Sequence, residues 1–174
     1  MPAVLATLSG LLTLLAEWRG PLPALAWVAP VPVLVATAER RDRDPWWLGL
    51  LFGLVAHVPV LHWAWLNPGW PLGATLGAYA GLVGLKVGQL EVLAATARVA
   101  PGLAPAAFAS AVALSEWLLA LAHLALWWTW GAPLATVGWL HGVSALGGAY
   151  LVSFVVALGA ATLALLIALS LIHI

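Results

Sequence analysis

The sequence predicts an all-α protein whose helices cross a membrane. Hydrophobic residues make up 64% of its 174 residues and charged residues only 7%, whereas soluble domains carry about 25% charged residues. The mean hydropathy is +1.07. Apolar stretches of about 20 residues, the length that a helix needs to cross a bilayer, recur along most of the chain. These observations predict a polytopic helical membrane protein with about six transmembrane helices.

Charged breaks and breaks rich in proline and glycine divide the chain into six apolar segments. The first is short and ends at Glu17. The second contains Pro23, Pro30 and Pro32, which predict a kink. A cluster of charged residues at positions 39–44 separates the second segment from the third. The predicted spans are residues 3–16, 22–38, 46–66, 72–97, 103–130 and 146–170 of one membrane domain, followed by a tail at 171–174 that has no anchoring residues and suggests truncation.

The arginines predict the orientation of these spans. If the spans alternate in direction, Arg19 falls on one side of the membrane and the other arginines fall on the opposite side. Basic residues are enriched on the cytoplasmic side of membrane proteins. We therefore expect both chain ends to be cytoplasmic, and the loop at residues 39–45 with them.

Tryptophan is unusually frequent, with 12 residues, and most of them are predicted at the outer ends of the spans. One interpretation is an aromatic belt at the membrane interface. The other is an outer mouth lined by tryptophan, which handles lipid or contacts another domain. The candidates for lipid-substrate access are Trp63, Trp65, Trp117, Trp128, Trp130 and Trp139.

Glu116 lies in the otherwise apolar fifth span. A charged residue at mid-membrane costs roughly 2.5–3.5 kcal/mol on insertion scales, so it usually has a partner or a function. Lys86 lies at a similar depth in the fourth span, which predicts an ion pair, although Glu91 competes as the partner of Lys86. Glu116 and Lys86 are therefore structural polar candidates. Tyr150 and Ser153 join them as residues predicted to make interhelical hydrogen bonds.

The fourth span also carries glycines at helical spacing, which predict close packing against another helix. They are Gly73, Gly77, Gly81, Gly84 and Gly88.

Several functional classes are excluded or disfavoured. The chain has no cysteine, which excludes disulfides and thiolate chemistry within it. Six basic residues balance six acidic ones, so no nucleic-acid partner is expected. The histidines lack the spacing of a metal site, and no cofactor or metal is predicted. His141-Gly142-Val143-Ser144 is a weak match to intramembrane serine proteases, with Ser144 as the nucleophile, and this alternative stays open.

Four motifs follow one another in the second half of the chain, and their order is specific although each is weak alone. They are Glu116-Trp117, Gly131-x-Pro133, Gly138-Trp139 and Gly148-x-Tyr150-x-x-Ser153-Phe154. In this order they resemble the membrane domain of apolipoprotein N-acyltransferases. Gly49-x-x-x-Gly53 and His62-Trp63 resemble the third span of the same family.

The resemblance implies an N-acyltransferase of the bacterial inner membrane. Family members move an acyl chain from a phospholipid to the N-terminal diacylglyceryl-cysteine of a lipoprotein. A carbon–nitrogen hydrolase domain supplies the cysteine nucleophile, and the present chain has none, so no catalytic residue is assigned in it. We expect a fragment that provides membrane anchoring and lipid access, is inactive alone, and works with that domain in cis or in trans. The alternative is a small membrane carrier or lipid-binding protein without its own enzymatic activity.

Overall fold

A computed structural model describes residues 1–17, 24–39, 45–60, 62, 66, 69, 71–121, 129–134 and 137–172. Every regular element in this part of the chain is helical, so the all-α prediction is confirmed. Short 3₁₀ turns lie at Pro101–Leu103 and Ala132–Leu134. The helices are α1 (Pro2–Glu17), α2 (Leu25–Val28), α3 (Val31–Ala38), α4 (Trp46–His57), α5 (Leu72–Val99), α6 (Ala104–Leu121) and α7 (Gly138–Ile172).

Among the described residues, three apolar stretches are long enough to cross a membrane: Leu72–Val99, Pro101–Leu121 and Gly142–Ser170. Three others are apolar but shorter: Pro2–Glu17, Leu25–Ala38 and Trp46–His57. The chain is therefore a helical membrane protein. The number of crossings and the cytoplasmic position of both ends stay predictions.

The helices form a closed ring. Helix α1 packs on α4, α4 on α5, α5 on α6, α6 on α7, and α7 on α3, which returns to α1. Helix α3 is apolar on every side, and all its residues except Pro32 are buried. A helix that is hydrophobic on all sides is typical of a protein interior. The neighbouring helices therefore enclose α3.

The kink expected in the second segment is a turn at Ala29 and Pro30, between α2 and α3. The first backbone N–H groups of a helix have no partner within the helix. In α3 one of them, the N–H of Val33, donates to Ser9 Oγ at 2.9 Å. Ser9 is buried on α1, so a side chain from a neighbouring helix caps α3 and fixes the two helices together.

Close packing between α4 and α5 depends on two glycines of α4. A Cβ atom on Gly49 would lie 2.6 Å from Val87 Cα, and one on Gly53 would lie 3.1 Å from Val83 Cα. The backbones approach this closely because neither glycine has a side chain.

The packing predicted for the glycines of α5 is wrong within the described chain. A Cβ atom at any of these positions would meet nothing within 4 Å, because α5 turns a different face, with Val83 and Val87, towards α4. The glycines concerned are Gly73, Gly77, Gly81, Gly84 and Gly88.

The predicted spans at residues 103–130 and 146–170 overlap α6 and α7, and their bounds stay predictions. Helix α6 covers Ala104–Leu121 and Trp130 lies in a turn, while residues 122–128 are outside the described part. Helix α7 begins at Gly138 and is broken at Gly147 and Gly148, next to the predicted start at residue 146. Gly148 has φ 67° and ψ −167°, a backbone conformation essentially restricted to glycine.

Gly148→Ala should therefore lower the free energy of unfolding by about 1–3 kcal/mol, because alanine is strained in this conformation. Denaturant titration of the protein in lipid bicelles measures the change. Gly142→Ala is the matched control, since Gly142 lies in the same helix with nothing within 4 Å of its Cβ position. Equal stability of the two variants would contradict the strain at the break.

Candidate functional site

A buried polar cluster lies where α1, α4, α5, α6 and α7 meet the turn at residues 129–131. Its first member is Glu116 of α6, which is 8% exposed. Glu116 Oε1 accepts a hydrogen bond of 2.7 Å from the backbone N–H of Trp130. Trp130 lies in a turn outside any helix, and a carboxylate is a strong acceptor for such a donor. Glu116 thus anchors the segment that leads from α6 towards α7.

Ser153 of α7 anchors the next residue of the turn. Its buried Oγ accepts a hydrogen bond of 2.9 Å from the backbone N–H of Gly131, and the hydroxyl also interacts with the Glu116 carboxylate. A Cβ atom on Gly131 would lie 3.0 Å from Ser153 N. Glycine at position 131 therefore lets the turn approach α7 closely enough for this bond.

The indole of Trp130 fills the space between the aromatic core and Lys86. Its ring meets Phe108 edge to face, with 5.6 Å between the ring centroids, and Phe52 at 6.4 Å. Lys86 Nζ lies 4.7 Å from the centroid of the same ring. Such a cation–π contact contributes about 2 kcal/mol when it is shielded from water.

Lys86 is 7% exposed and interacts electrostatically with two carboxylates, Glu116 and Glu17. Glu17 was not among the partners predicted for Lys86, and the competing pairing of Lys86 with Glu91 stays a prediction. Lys86 and Glu116 thus face the same interior of the bundle and share Trp130 as a neighbour. Whether they form a direct ion pair stays a prediction.

Glu17 and His57 belong to this cluster and were not identified from the sequence. Glu17 Oε2 lies 4.0 Å from His57 Nδ1, and the two side chains are 11% and 1% exposed. Glu17 ends α1 beside a charged break, a position typical of an interfacial carboxylate. In the sequence, His57 differs from its surroundings only as a histidine within an apolar segment. Several other histidines in the chain share that property, so it does not identify His57 as a member of the cluster.

The tryptophans predicted to contact lipid occupy different environments. Trp139 is 63% exposed and stacks on Trp27, with 6.1 Å between the ring centroids. Trp117 is also exposed, whereas Trp130 is half-buried in the polar cluster. The remaining candidates, Trp63, Trp65 and Trp128, lie outside the described residues. Trp130 therefore lies in a more buried and more polar environment than Trp117 and Trp139.

Tyr150 and Ser144 lie on either side of the break in α7, and both are half-buried. The interhelical hydrogen bond expected of Tyr150 and the nucleophilic role considered for Ser144 stay predictions.

Two cavities adjoin the turn at residues 129–134. The first, of about 330 Å³ out to its mouth, is lined by Glu17, Lys86, Thr13 and Trp130 among others. The second, of about 430 Å³, lies beside the break in α7 and is mainly apolar, with Leu134, Leu140 and Val152 in its wall. Both cavities are mainly apolar, and the first also has the charged side chains of Glu17 and Lys86 in its wall.

Comparison with known proteins places this arrangement in a family. The family model of the apolipoprotein N-acyltransferase N-terminal domain matches residues 9–162. The chain is similar to an apolipoprotein N-acyltransferase from Chromobacterium violaceum, with 34% identity over 162 residues that cover 82% of this chain and 30% of the relative. The chain thus spans less than a third of that relative's length. No solved structure matches the chain.

Proposed function

Because the chain belongs to the apolipoprotein N-acyltransferase N-terminal domain family, we propose that it is the membrane part of an enzyme of lipoprotein maturation. The enzyme transfers an acyl chain from a phospholipid donor to the N-terminal diacylglyceryl-cysteine of a lipoprotein acceptor. The family match over residues 9–162 carries this proposal. The location that fits it is a bacterial plasma membrane, which the chain crosses several times.

The role of this chain is to anchor the enzyme and give its lipid substrates access, not to supply the nucleophile. Acyl transfer by a covalent route needs an activated nucleophile such as a cysteine, and the chain has none. Its buried Glu116 and Ser153 hold backbone N–H groups of the turn that follows α6. This use of the polar residues supports a structural role, and the chemistry falls to a carbon–nitrogen hydrolase domain in cis or in trans.

Complementation of a bacterium deficient in N-acyltransferase tests the proposal. We expect no rescue by this chain alone, because it lacks the cysteine nucleophile expected for the reaction, and rescue when the chain is joined to a carbon–nitrogen hydrolase domain. The readout is growth together with N-acylation of a reporter lipoprotein by mass spectrometry. The same hydrolase domain on an unrelated multi-span anchor is the matched control. Rescue by the chain alone would contradict the assigned location of the chemistry, and equal rescue on the unrelated anchor would contradict the role in lipid access.

A second candidate function is lipid binding without acyl transfer, which the apolar cavity beside the break in α7 favours. In that case the chain alone should retain lipid through purification, and a joined hydrolase domain should give no rescue.

A further inference from the structure

The apolar cavity beside the break in α7 takes its wall from both halves of this helix. Leu140 and Ser144 precede the break, whereas Ala149 and Val152 follow it. In a regular α-helix, Leu140 and Ala149 would be about two and a half turns apart and would point in opposite directions. The break therefore turns opposite faces of α7 towards one space, which residues 131–134 of the neighbouring turn also line.

The cavity reaches from the interior of the bundle to its surface. Leu134 and Val152 in its wall are buried, whereas Ala149 in the same wall is exposed. Leu146, next to the break, is exposed as well. Ala149 and Leu146 lie in the stretch Gly142–Ser170, which is long and apolar enough to cross a membrane. In a bilayer the mouth of the cavity therefore opens towards the acyl chains of lipids.

The wall favours hydrocarbon over water. In the described part of this wall, Ser144 carries the single polar side chain, and a water molecule inside a protein needs about two to four polar partners. The space that a small molecule can occupy is about 140 Å³. An apolar cavity of about 150 Å³ stays dry and binds benzene. The cavity beside the break therefore has room for about six carbon atoms of a chain.

We propose that this cavity holds a segment of a lipid acyl chain, about six carbon atoms long, inside the helix bundle. Lipid tails are as apolar as the wall, so the hydrophobic effect contributes little. Dispersion contacts with wall atoms that otherwise have no neighbour stabilise the bound segment. The proposal deepens the role in lipid access, on which its place in acyl transfer rests, by naming the part of the lipid that is held and the residues that hold it.

Photolabelling of the full chain in vesicles tests this proposal. The vesicles consist of phosphatidylethanolamine and phosphatidylglycerol, with a small share of a phosphatidylethanolamine that carries a diazirine in one acyl chain. Light releases N₂ from the diazirine, and the carbene that remains inserts into a C–H bond in contact with it. Mass spectrometry of the digested protein then locates the labelled residues.

Two valines one turn apart in α7 give the main comparison. Val152 lines the cavity and is 5% exposed, whereas Val156 is outside its wall and 0% exposed. We expect roughly tenfold more label on Val152, because insertion requires contact between the chain and the side chain. The buried Leu134 of the wall should be labelled as well. Leu166, which is 60% exposed, reports contact with the surrounding lipid in every sample.

Filling the cavity should remove the label from its wall. Ala149→Leu and Ala132→Leu each add three carbon atoms to the wall of a space for about six, so each should lower the label on Val152 roughly fivefold. Ala145→Leu is the matched control and should leave the label unchanged, since Ala145 is exposed in the same helix and outside the wall. Equal label on Leu166 verifies that each variant has inserted, and circular dichroism verifies that each has folded.

Equal label on Val152 and Val156 would overturn the acyl-chain site, and so would label on Val152 that survives both cavity-filling variants. The measurement needs neither a hydrolase domain nor acyl transfer. Label on the wall without rescue in the complementation experiment would therefore count against the acyl-transfer function alone. Rescue without such label would count against the acyl-chain site alone.

Discussion

Replacing Glu116 by alanine should lower the free energy of unfolding of the bundle by about 3 kcal/mol. The change removes the acceptor of the 2.7 Å hydrogen bond from Trp130 N–H. It also takes away one of the two carboxylates that interact with the buried Lys86. In a membrane, association between helices depends on packing and on such polar contacts, because lipid supplies little hydrophobic drive between them. Denaturant titration in lipid bicelles measures the loss.

Controls separate the two parts of this effect. Glu116→Gln retains an oxygen acceptor for Trp130 N–H but not the charge, so its effect should be smaller. Glu39→Ala should change stability little, because Glu39 is exposed. In a double-mutant cycle, Lys86→Met and Glu116→Ala should be non-additive. Additive losses would show that Lys86 and Glu116 are not coupled.

The second large effect is expected from Gly49→Ala. The added Cβ would lie 2.6 Å from Val87 Cα, and backbone atoms cannot move aside as the end of a flexible side chain can. Helices α4 and α5 must separate, and overpacking of this kind costs about 1–3 kcal/mol.

Gly88→Ala is the matched control for Gly49→Ala, since it makes the same substitution on the partner helix, where nothing lies within 4 Å of the Cβ position. Its stability in the same bicelle titration should equal or exceed that of the parent. A loss for Gly88→Ala as large as that for Gly49→Ala would mean that the glycines of α5 are packed as well, and that the described contact between α4 and α5 is not specific.

The sequence was sufficient for the fold class and for three members of the polar cluster, Lys86, Glu116 and Ser153. Apolar stretches of spanning length predict helices directly, and Lys86 and Glu116 are conspicuous because charge is rare in such stretches. Ser153 was identified as structural through its motif. These are properties of single positions or of neighbouring ones, which a sequence displays without knowledge of the packing.

Other features depend on which helix faces pack against one another, and the sequence alone does not show this. The glycines of α4 and those of α5 have the same helical spacing, yet only Gly49 and Gly53 meet a neighbouring backbone. Trp130 ends an apolar run of the sequence, and such a run predicts a helix. It lies in a turn instead, where its backbone N–H donates to the Glu116 side chain of α6. Glu17 and His57 come together only because α1 and α4 pack side by side.

The hydrogen bonds that join separate elements also bear on how the bundle assembles. Ser9 and Val33 are 24 residues apart, Gln89 and Ser115 are 26 apart, and Gly131 and Ser153 are 22 apart. Each of these bonds can close as soon as the next helix has left the ribosome, because its partners are close in sequence. The contacts of Lys86 with Glu17 and Trp130 join more distant parts of the chain and form later. The packing of α7 on α3 joins the most distant neighbours in the ring, so the ring closes only when α7 is in place.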